Sequence, residues 1–188
     1  DIAAGLAHHT CALDELGSIT CWGYNNVGQL NVPNEGIFTD LFVGGGGGCA
    51  LDELGSITCW GNNSHGQLNE TEGIFVDLAV GGSHACGLDA SGSISCWGNN
   101  HQGMVSDAPV EGIFTDIVTA EYHTCALNES GSITCWGSDA HNQISDTPVE
   151  GIFTEINAGR SHTCALEASG SMTCWGRDIY DQLDVPEN

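Results

Sequence analysis

The chain has no lysine, and Arg160 and Arg177 are its only basic side chains, against 25 Asp and Glu residues. The resulting net charge of -23 at pH 7 repels phosphate groups, which argues against nucleic-acid and anionic-membrane partners. The same acidity suits a salt-tolerant surface, divalent cations or a basic protein partner. No apolar run is long enough to span a membrane, so membrane insertion is not expected.

The familiar catalytic motifs are also missing. The sequence has no Gly-x-Ser-x-Gly elbow, no phosphate-binding loop and no His-Glu-x-x-His helix. Glycoside hydrolysis by a pair of acidic residues is the alternative, because acidic residues are so numerous. We predict a protein that is not an enzyme, with no cofactor and no bound metal.

What the sequence does contain is one segment written five times. The first cysteines of successive copies lie 38, 37, 39 and 39 residues apart. Self-similarity at this period indicates a solenoid or a propeller. We predict a single domain of five repeats, approximately 1–39, 40–76, 77–115, 116–154 and 155–188.

The cysteines of each copy flank a hairpin signal. In the first copy, Asp14 with Gly17 three residues later is typical of a three-residue hairpin loop. Pairing Asp14 with Ser18 puts Cys11 opposite Cys21 at a non-hydrogen-bonded site, where Cα atoms approach to about 4.5 Å. We therefore predict one disulfide per repeat: Cys11–Cys21, Cys49–Cys59, Cys86–Cys96, Cys125–Cys135 and Cys164–Cys174. Paired thiolate zinc sites are the alternative, but they use shorter spacings.

The ten cysteines also indicate an oxidising compartment. We predict a secreted, extracellular or cell-surface protein. The sequence begins at Asp1 without a signal peptide, which we interpret as a mature form or a part of something longer.

Both faces of the hairpin are apolar or small, so both are expected to be covered. Leu13 and Ile19 share the cysteine face, and Ala12 shares the other face with Trp22. An extended segment precedes each hairpin and a short Gln-Leu-like strand follows it, which gives four strands per repeat. We predict an all-β, five-bladed β-propeller with one blade per 37–39-residue repeat.

Two details of this architecture can also be predicted. Gly28, Gly66, Gly103, Asn142 and Asp181 hold equivalent positions, and these residue types tolerate a left-handed backbone. Because Asp1 is equivalent to Asp40, the first strand is expected to complete the last blade near 182–186, unless the repeats belong to a larger propeller.

The repeats resemble the regulator of chromosome condensation repeat. The matching motifs lie at 158–166, 170–176 and 23–30, and the likeness covers essentially the whole sequence. The resemblance implies a β-propeller, in many members with seven blades, that serves as a binding platform. The paired cysteines look like the secreted prokaryotic branch, in which one relative inhibits β-lactamases by protein–protein contact. The acidity, disulfides and shorter repeats differ from the eukaryotic founder, so its chromatin and GTPase roles are not carried over.

Two sets of equivalent ionisable residues are candidate rings. His9, His84, His123 and His162 precede the first cysteine by two positions, with Gly47 in the second copy. We expect them to satisfy backbone groups at a strand start, with metal binding as the alternative. Asp1, Asp40, Asp77, Asp116 and Glu155 are expected to form a solvated rim or to cap turns, with cation attraction as the alternative.

The loop after each Trp-Gly varies most between copies, and loops on a rigid scaffold are where binding usually resides. The candidate binding residues are Tyr24, Asn25, Asn26, Asn62, Asn63, His65, Asn99, Asn100, His101, Asp139, His141, Arg177, Asp178 and Tyr180. We predict a non-catalytic scaffold that binds a protein through this loop face. The alternatives are a multivalent carbohydrate-binding module and a structural bead of a longer extracellular protein or filament.

Overall fold

The computed structural model describes residues 1–69 and 71–186. Within them the protein forms five antiparallel three-stranded sheets, one for each repeat, which we call blades 1 to 5. The strands, three per blade in sequence order, are β1 (Ile2–Gly5), β2 (His9–Leu13), β3 (Ile19–Gly23), β4 (Phe38–Val43), β5 (Gly47–Asp52), β6 (Ile57–Gly61), β7 (Phe75–Val80), β8 (His84–Asp89), β9 (Ile94–Gly98), β10 (Phe114–Thr119), β11 (His123–Asn128), β12 (Ile133–Gly137), β13 (Phe153–Ala158), β14 (His162–Glu167) and β15 (Met172–Gly176). The prediction of an all-β protein with five blades is confirmed.

The middle and outer strands of each blade form the predicted hairpin. In blade 1, Leu13 pairs with Ile19 and Cys11 with Cys21. The Asp14 carboxylate accepts the N–H groups of Leu16 and Ser18, which fixes the turn. All five predicted disulfides form, with Cα–Cα distances of 4.0–4.1 Å, and they account for all ten cysteines.

A β-bulge in the inner strand of blades 2 to 5 sets which side chains face the neighbouring blade. In blade 2 the register shifts between Phe38 and Asp40. Phe38 and Leu41 lie three residues apart, yet both are buried, because the extra residue returns the strand to the same face. Strict alternation of apolar and polar residues therefore does not describe these strands.

Neighbouring blades pack in one repeated way. Each blade has two faces: the disulfide face carries its cystine, and the tryptophan face carries its indole. The disulfide face of one blade packs against the tryptophan face of the next blade. Between blades 1 and 2, Leu13 of the disulfide face packs with Phe38 and Trp60. The same packing recurs at the next three boundaries. At each of these four boundaries the indole also donates a hydrogen bond of 3.0–3.1 Å to a loop carbonyl of the preceding blade: Trp60 to Gln29, Trp97 to Gln67, Trp136 to Met104 and Trp175 to Gln143.

The tryptophan face of blade 1 and the disulfide face of blade 5 lack this cover. Trp22 is 48% exposed, whereas Trp136 is 4% exposed. On blade 5, Met172 is 51% exposed, whereas Ile133 at the equivalent position of blade 4 is 9% exposed. In the described residues, no strand of blade 5 packs extensively against a strand of blade 1.

Two details of the predicted architecture are wrong. The first strand does not complete the last blade, because β1 pairs with β2 in its own sheet, with Ala3 opposite Cys11. The Gln-Leu segment forms turns instead of a fourth strand. Its backbone is held by loop side chains: Asn25 accepts the N–H of Leu30, and Gln29 accepts the N–H of Val27.

Residues of the inner strands of all five blades line an open central space of about 280 Å³. Among the residues that the structure describes, no helix has the length and apolar character needed to cross a membrane.

Candidate functional site

The variable loops gather at one end of the blades, which we call the loop face. It consists of the post-tryptophan loops (24–27, 62–65, 99–102, 138–141 and 177–180) and the inner loops that join inner and middle strands (6–8, 44–46, 81–83, 120–122 and 159–161). In every blade the backbone N–H of the first residue of the post-tryptophan loop donates to a carbonyl oxygen of the inner loop. The N–O distances are 2.8–2.9 Å, as from Ser138 to Tyr122. The two loops of a blade therefore form one surface. The opposite end carries the β-hairpin turns, and we call it the hairpin face.

Five of the candidate binding residues hold the post-tryptophan loops in shape. The second residue of each loop is always Asn or Asp, and its side chain accepts the N–H five residues later at 2.8–3.1 Å. These residues are Asn25, Asn63, Asn100, Asp139 and Asp178. The equivalent Gly, Asn and Asp residues further along have positive φ angles of 57–86°, so the predicted left-handed position is confirmed.

The other candidate residues differ in what they contact. The side chains of Asn62 and Asn99 accept N–H groups of their own loops, and Asn26 accepts the side-chain amide of Gln29. Tyr24 and Tyr180 are 52% and 82% exposed. His65, His101, His141 and Arg177 line depressions of the loop face.

Three adjoining depressions form what we call the loop-face groove. The axial depression, of about 220 Å³, is lined by one residue from each blade: Leu6, Gly45, Gly82, Glu121 and Arg160. A second, of about 360 Å³, is lined by His65, Gly82, Ser83, Asn99, Glu121 and Tyr122. The third, the arginine depression, measures about 500 Å³ and is lined by His101, Gln102, Glu121, Tyr122, Ser138, Ala140, His141, Gln143, Arg160, Ser161 and Arg177. Glu121 lines all three, so the groove is continuous, and residues of all five blades contribute to it.

The two arginines of the protein both line the arginine depression but have different partners. Arg160 forms an ion pair with Glu121, in which Nη2 lies 3.1 Å from Oε1 and Nε contacts Oε2. Partial burial opposes ionisation of Glu121, but the Arg160 guanidinium lowers the pKa of that carboxyl overall. A hydrogen bond with Glu121 in turn raises the pKa of Tyr122. Arg177 makes no ion pair within the described residues, and its Nε is buried without a hydrogen-bond acceptor.

The inner-loop contribution to this groove was not predicted from the sequence. Glu121, Tyr122, Arg160 and Ser161 were not among the candidate binding residues. A signal was present, because equivalent inner-loop positions are Gly45 and other unrelated residues in the remaining copies. Positions that vary inside an otherwise repeated unit mark the loop face in both sets of loops.

Two of the four histidines, His84 and His123, bond to a hydroxyl of the neighbouring blade instead of the expected backbone groups. His84 Nε2 lies 2.7 Å from the Thr124 hydroxyl, and His123 Nε2 lies 2.8 Å from that of Thr163. Burial, with a smaller contribution from the next histidine, lowers the pKa of both imidazoles to about 4. Blade 2 has Gly48 at the threonine position, so the ring of buried His9 has no equivalent hydroxyl to contact. Within the same residues, no group of His, Cys, Asp or Glu side chains is arranged to hold a metal.

The acidic set is less solvated than expected. Desolvation raises the pKa of Asp77 to about 6, despite a hydrogen bond from the Leu78 N–H, and Asp116 and Asp40 add repulsion. Desolvation also raises the pKa of Asp116, with a smaller contribution from Glu155. These carboxylates crowd one another across blades.

Comparisons with known proteins agree with this geometry. The family model described as "Regulator of chromosome condensation (RCC1) repeat" matches residues 1–29, 75–103, 114–143 and 153–182. The matched ranges leave out repeat 2, in which Gly47 and Gly48 replace the histidine and the residue after it. The search of curated protein sequences found no match.

Solved structures similar to this protein include two plant receptor ectodomains and a yeast protein. The entire ectodomain of the Physcomitrella patens receptor kinase CR4 superposes with a TM-score of 0.84 at 24% identity, covering 99% of this chain and 55% of that one. The CRINKLY WD40 ectodomain of the Arabidopsis thaliana receptor kinase ACR4 gives 0.76 at 26% identity, covering 93% and 62%. Prp20p from Saccharomyces cerevisiae, described with its binding to Gsp1p and histones, gives 0.81 at 22% identity, covering 99% and 59%.

The chain spans 55–62% of the length of these neighbours. The family-model matches cover more than half of its residues, and the blades, interfaces and loops repeat in the same way along it. The chain therefore belongs to the regulator of chromosome condensation (RCC1) repeat family.

Proposed function

We propose that this protein is an extracellular, non-catalytic scaffold that binds another protein through its loop face. The observation that carries the proposal is the loop-face groove, to which all five blades contribute and which is lined by non-repeated side chains. The repeated residues are engaged in disulfides and blade packing. Recognition therefore falls to the residues that differ between blades.

Two further observations support the extracellular setting and the protein partner. Five disulfides in one small domain are typical of oxidising compartments, and two similar structures are receptor-kinase ectodomains. The exposed Tyr122 at the junction of two depressions has the amphipathic character that protein interfaces favour.

A multivalent carbohydrate-binding module would present similar sites on successive blades. The depressions of the loop face have different linings, and both arginines belong to blade 5 and line a single depression. This arrangement favours one asymmetric surface over five equal ones. A glycan array read with the intact protein distinguishes the two, because strong, avidity-dependent binding to one sugar would support the carbohydrate alternative.

The proposal is tested by affinity capture from the protein's native medium with three immobilised forms. Tyr122→Ala alters the loop face, and Leu54→Ser alters an exposed side chain of the hairpin face as a matched control. We expect one partner to bind the wild type and the control equally and Tyr122→Ala about tenfold more weakly. Equal capture by all three forms would contradict loop-face binding. Capture of nothing but copies of the protein itself would favour the structural-bead alternative.

A further inference from the structure

We infer that the arginine depression receives a carboxylate group of the partner protein, from an acidic side chain or from the partner's carboxyl terminus, on the guanidinium of Arg177. The inference rests on the proposed function and names the ligand chemistry of the same surface. Its starting point is the distribution of charge. A protein with 25 acidic residues places both of its cationic side chains in the wall of one depression of about 500 Å³.

The two guanidinium groups are not equally available. Arg160 is engaged by Glu121, and this pair also removes the repulsion that the Glu121 carboxylate would exert on an incoming anion. Among the described residues, Glu121 is the only carboxylate in the lining of the arginine depression. None of the acidic side chains in that part of the sequence pairs with Arg177.

Among the described residues, the Nε–H of Arg177 lacks a hydrogen-bond acceptor. Its side chain is half-buried, and its Nε–H is removed from water without a hydrogen-bond partner. A guanidinium presents its N–H groups in a fixed planar fork that matches the two oxygens of a carboxylate. An N–H that lacks water and an acceptor is costly, so an anion that completes the site gains more than one bound in open solvent.

The neutral lining suits a carboxylate carried on a polypeptide. Tyr122, Ser138, Gln143 and Ser161 offer hydroxyl and amide groups around the arginine. The depression lies within the size range of ligand pockets, about 300–1,000 Å³. The strong negative charge elsewhere repels polyanions over long distances, but salt screens it beyond about 8 Å at physiological ionic strength. A single carboxylate at contact distance is therefore favoured over phosphate-rich or polyacidic ligands.

The test uses immobilised eight-residue peptides of Gly, Ser and Tyr with one variable central position, acetylated and amidated at the ends. Glu and Asp versions are compared with Gln and Asn versions, and a Gln peptide with a free carboxyl terminus forms the second arm. We expect carboxylate peptides to bind the intact protein about tenfold more tightly than their amide counterparts. The arm that binds identifies whether the carboxylate comes from a side chain or from a peptide end.

Three variants test whether the preference for carboxylate peptides arises in the arginine depression. Arg177→Gln is expected to abolish the difference between carboxylate and amide peptides, and Arg177→Lys to restore part of it as a point charge. Arg160→Gln frees the Glu121 carboxylate and is expected to weaken carboxylate binding. Leu54→Ser, on the hairpin face, is the control and should leave the difference unchanged. Thermal melts confirm that each variant folds.

The inference is overturned if peptides bind without regard to their carboxylate, if Arg177→Gln preserves the difference, or if no peptide binds at millimolar concentration. Preferential binding to uronic-acid sugars over all peptides would also overturn it. These outcomes are separable from the test of the proposed function. A partner lost with Tyr122→Ala but retained with Arg177→Gln would keep the scaffold and remove the carboxylate site.

Discussion

Single ionisable residues at the blade boundaries respond to acid in opposite directions. His84 and His123 are held neutral by burial, with pKa values of about 4 against 6.5 for a free imidazole. The unfolded protein therefore takes up protons first, and these histidines reduce stability as the pH falls from about 6.5 to 4. Asp77 acts the other way, because its pKa of about 6 lies above the ordinary 3.8. Folding favours its protonated form, so the contribution of Asp77 to the free energy of unfolding becomes more favourable as the pH falls from about 6 to 3.8.

Asp77→Asn is expected to stabilise the protein above pH 6, because it removes an ionised carboxylate that is desolvated and repelled by Asp116 and Asp40. The Asn oxygen can still accept the Leu78 N–H. The gain in the free energy of unfolding should be about 1–2 kcal/mol at pH 7.5 once partial exposure is allowed for, and should vanish below about pH 4.

Urea unfolding of wild type and variant at pH 4, 5, 6 and 7.5 measures this difference. Glu53→Gln, on the exposed hairpin turn of blade 2, is the control and should follow the wild type at each pH. A constant gain at every pH would contradict the titration of Asp77 as its cause.

At the scale of the structural element, the blade boundary carries the stability. Each internal tryptophan fills the space between two sheets and anchors itself on a carbonyl of the neighbouring loop, as Trp136 does on Met104. Trp22 has the same sequence context but no blade against it, and it is 48% exposed. The protein thus contains its own comparison between a packed and an unpacked copy of one residue.

Trp136→Phe should reduce the free energy of unfolding by about 2–3 kcal/mol, because it removes a buried hydrogen bond and part of a close-packed ring system. Trp22→Phe should change it by less than about 0.5 kcal/mol. Chemical denaturation with the disulfides intact measures both. Equal losses would mean that Trp22 is covered in solution, which would contradict the open boundary of blade 1.

How far the sequence predicts an element depends on whether its contacts are local. The hairpin register, the five disulfides and the left-handed loop position follow from residues within one repeat, and all are confirmed. The inter-blade bond between His123 and Thr163 was not predicted, because its partners are 40 residues apart. The Gln-Leu strand was wrong because side chains such as Asn25 take the backbone donors that a sheet would need.

Across the whole molecule, 25 acidic residues face only two basic ones, and their repulsion opposes the compact state. Carboxylates of neighbouring repeats also meet across blades, as Asp77 and Asp116 do. Salt therefore screens more charge repulsion in this protein than in a protein of balanced charge.

Raising sodium chloride from about 20 to about 500 mM at pH 7.5 should raise the Tm by several degrees, because screening weakens this repulsion. The same series at pH 4 is the control, since many carboxylates are then protonated and the effect should shrink. Differential scanning calorimetry measures both. A Tm that falls with salt at pH 7.5 would show that attractive ion pairs, such as that of Arg160 with Glu121, outweigh the repulsion.

The loop face shows the same division between local and distant information. Variation between copies singled out the post-tryptophan loops, and it brought in His101, His141 and Arg177. This variation could not identify Glu121 or Arg160 as their neighbours. The inner loops of one blade and the post-tryptophan loops of another meet only after the sheets have stacked. Nor could the variation separate Asp139, which fastens its own loop, from side chains that line the groove.

The sequence alone determined the repeating unit: strands, tight turns, cystines and the number of blades are encoded within stretches of about forty residues, where short-range sterics and pairing decide the outcome. The tertiary structure alone decided which copies are covered, which histidine finds a threonine, and where the two positive charges come together. Those properties arise between repeats that are almost alike, so they depend on spatial neighbours that no single repeat specifies.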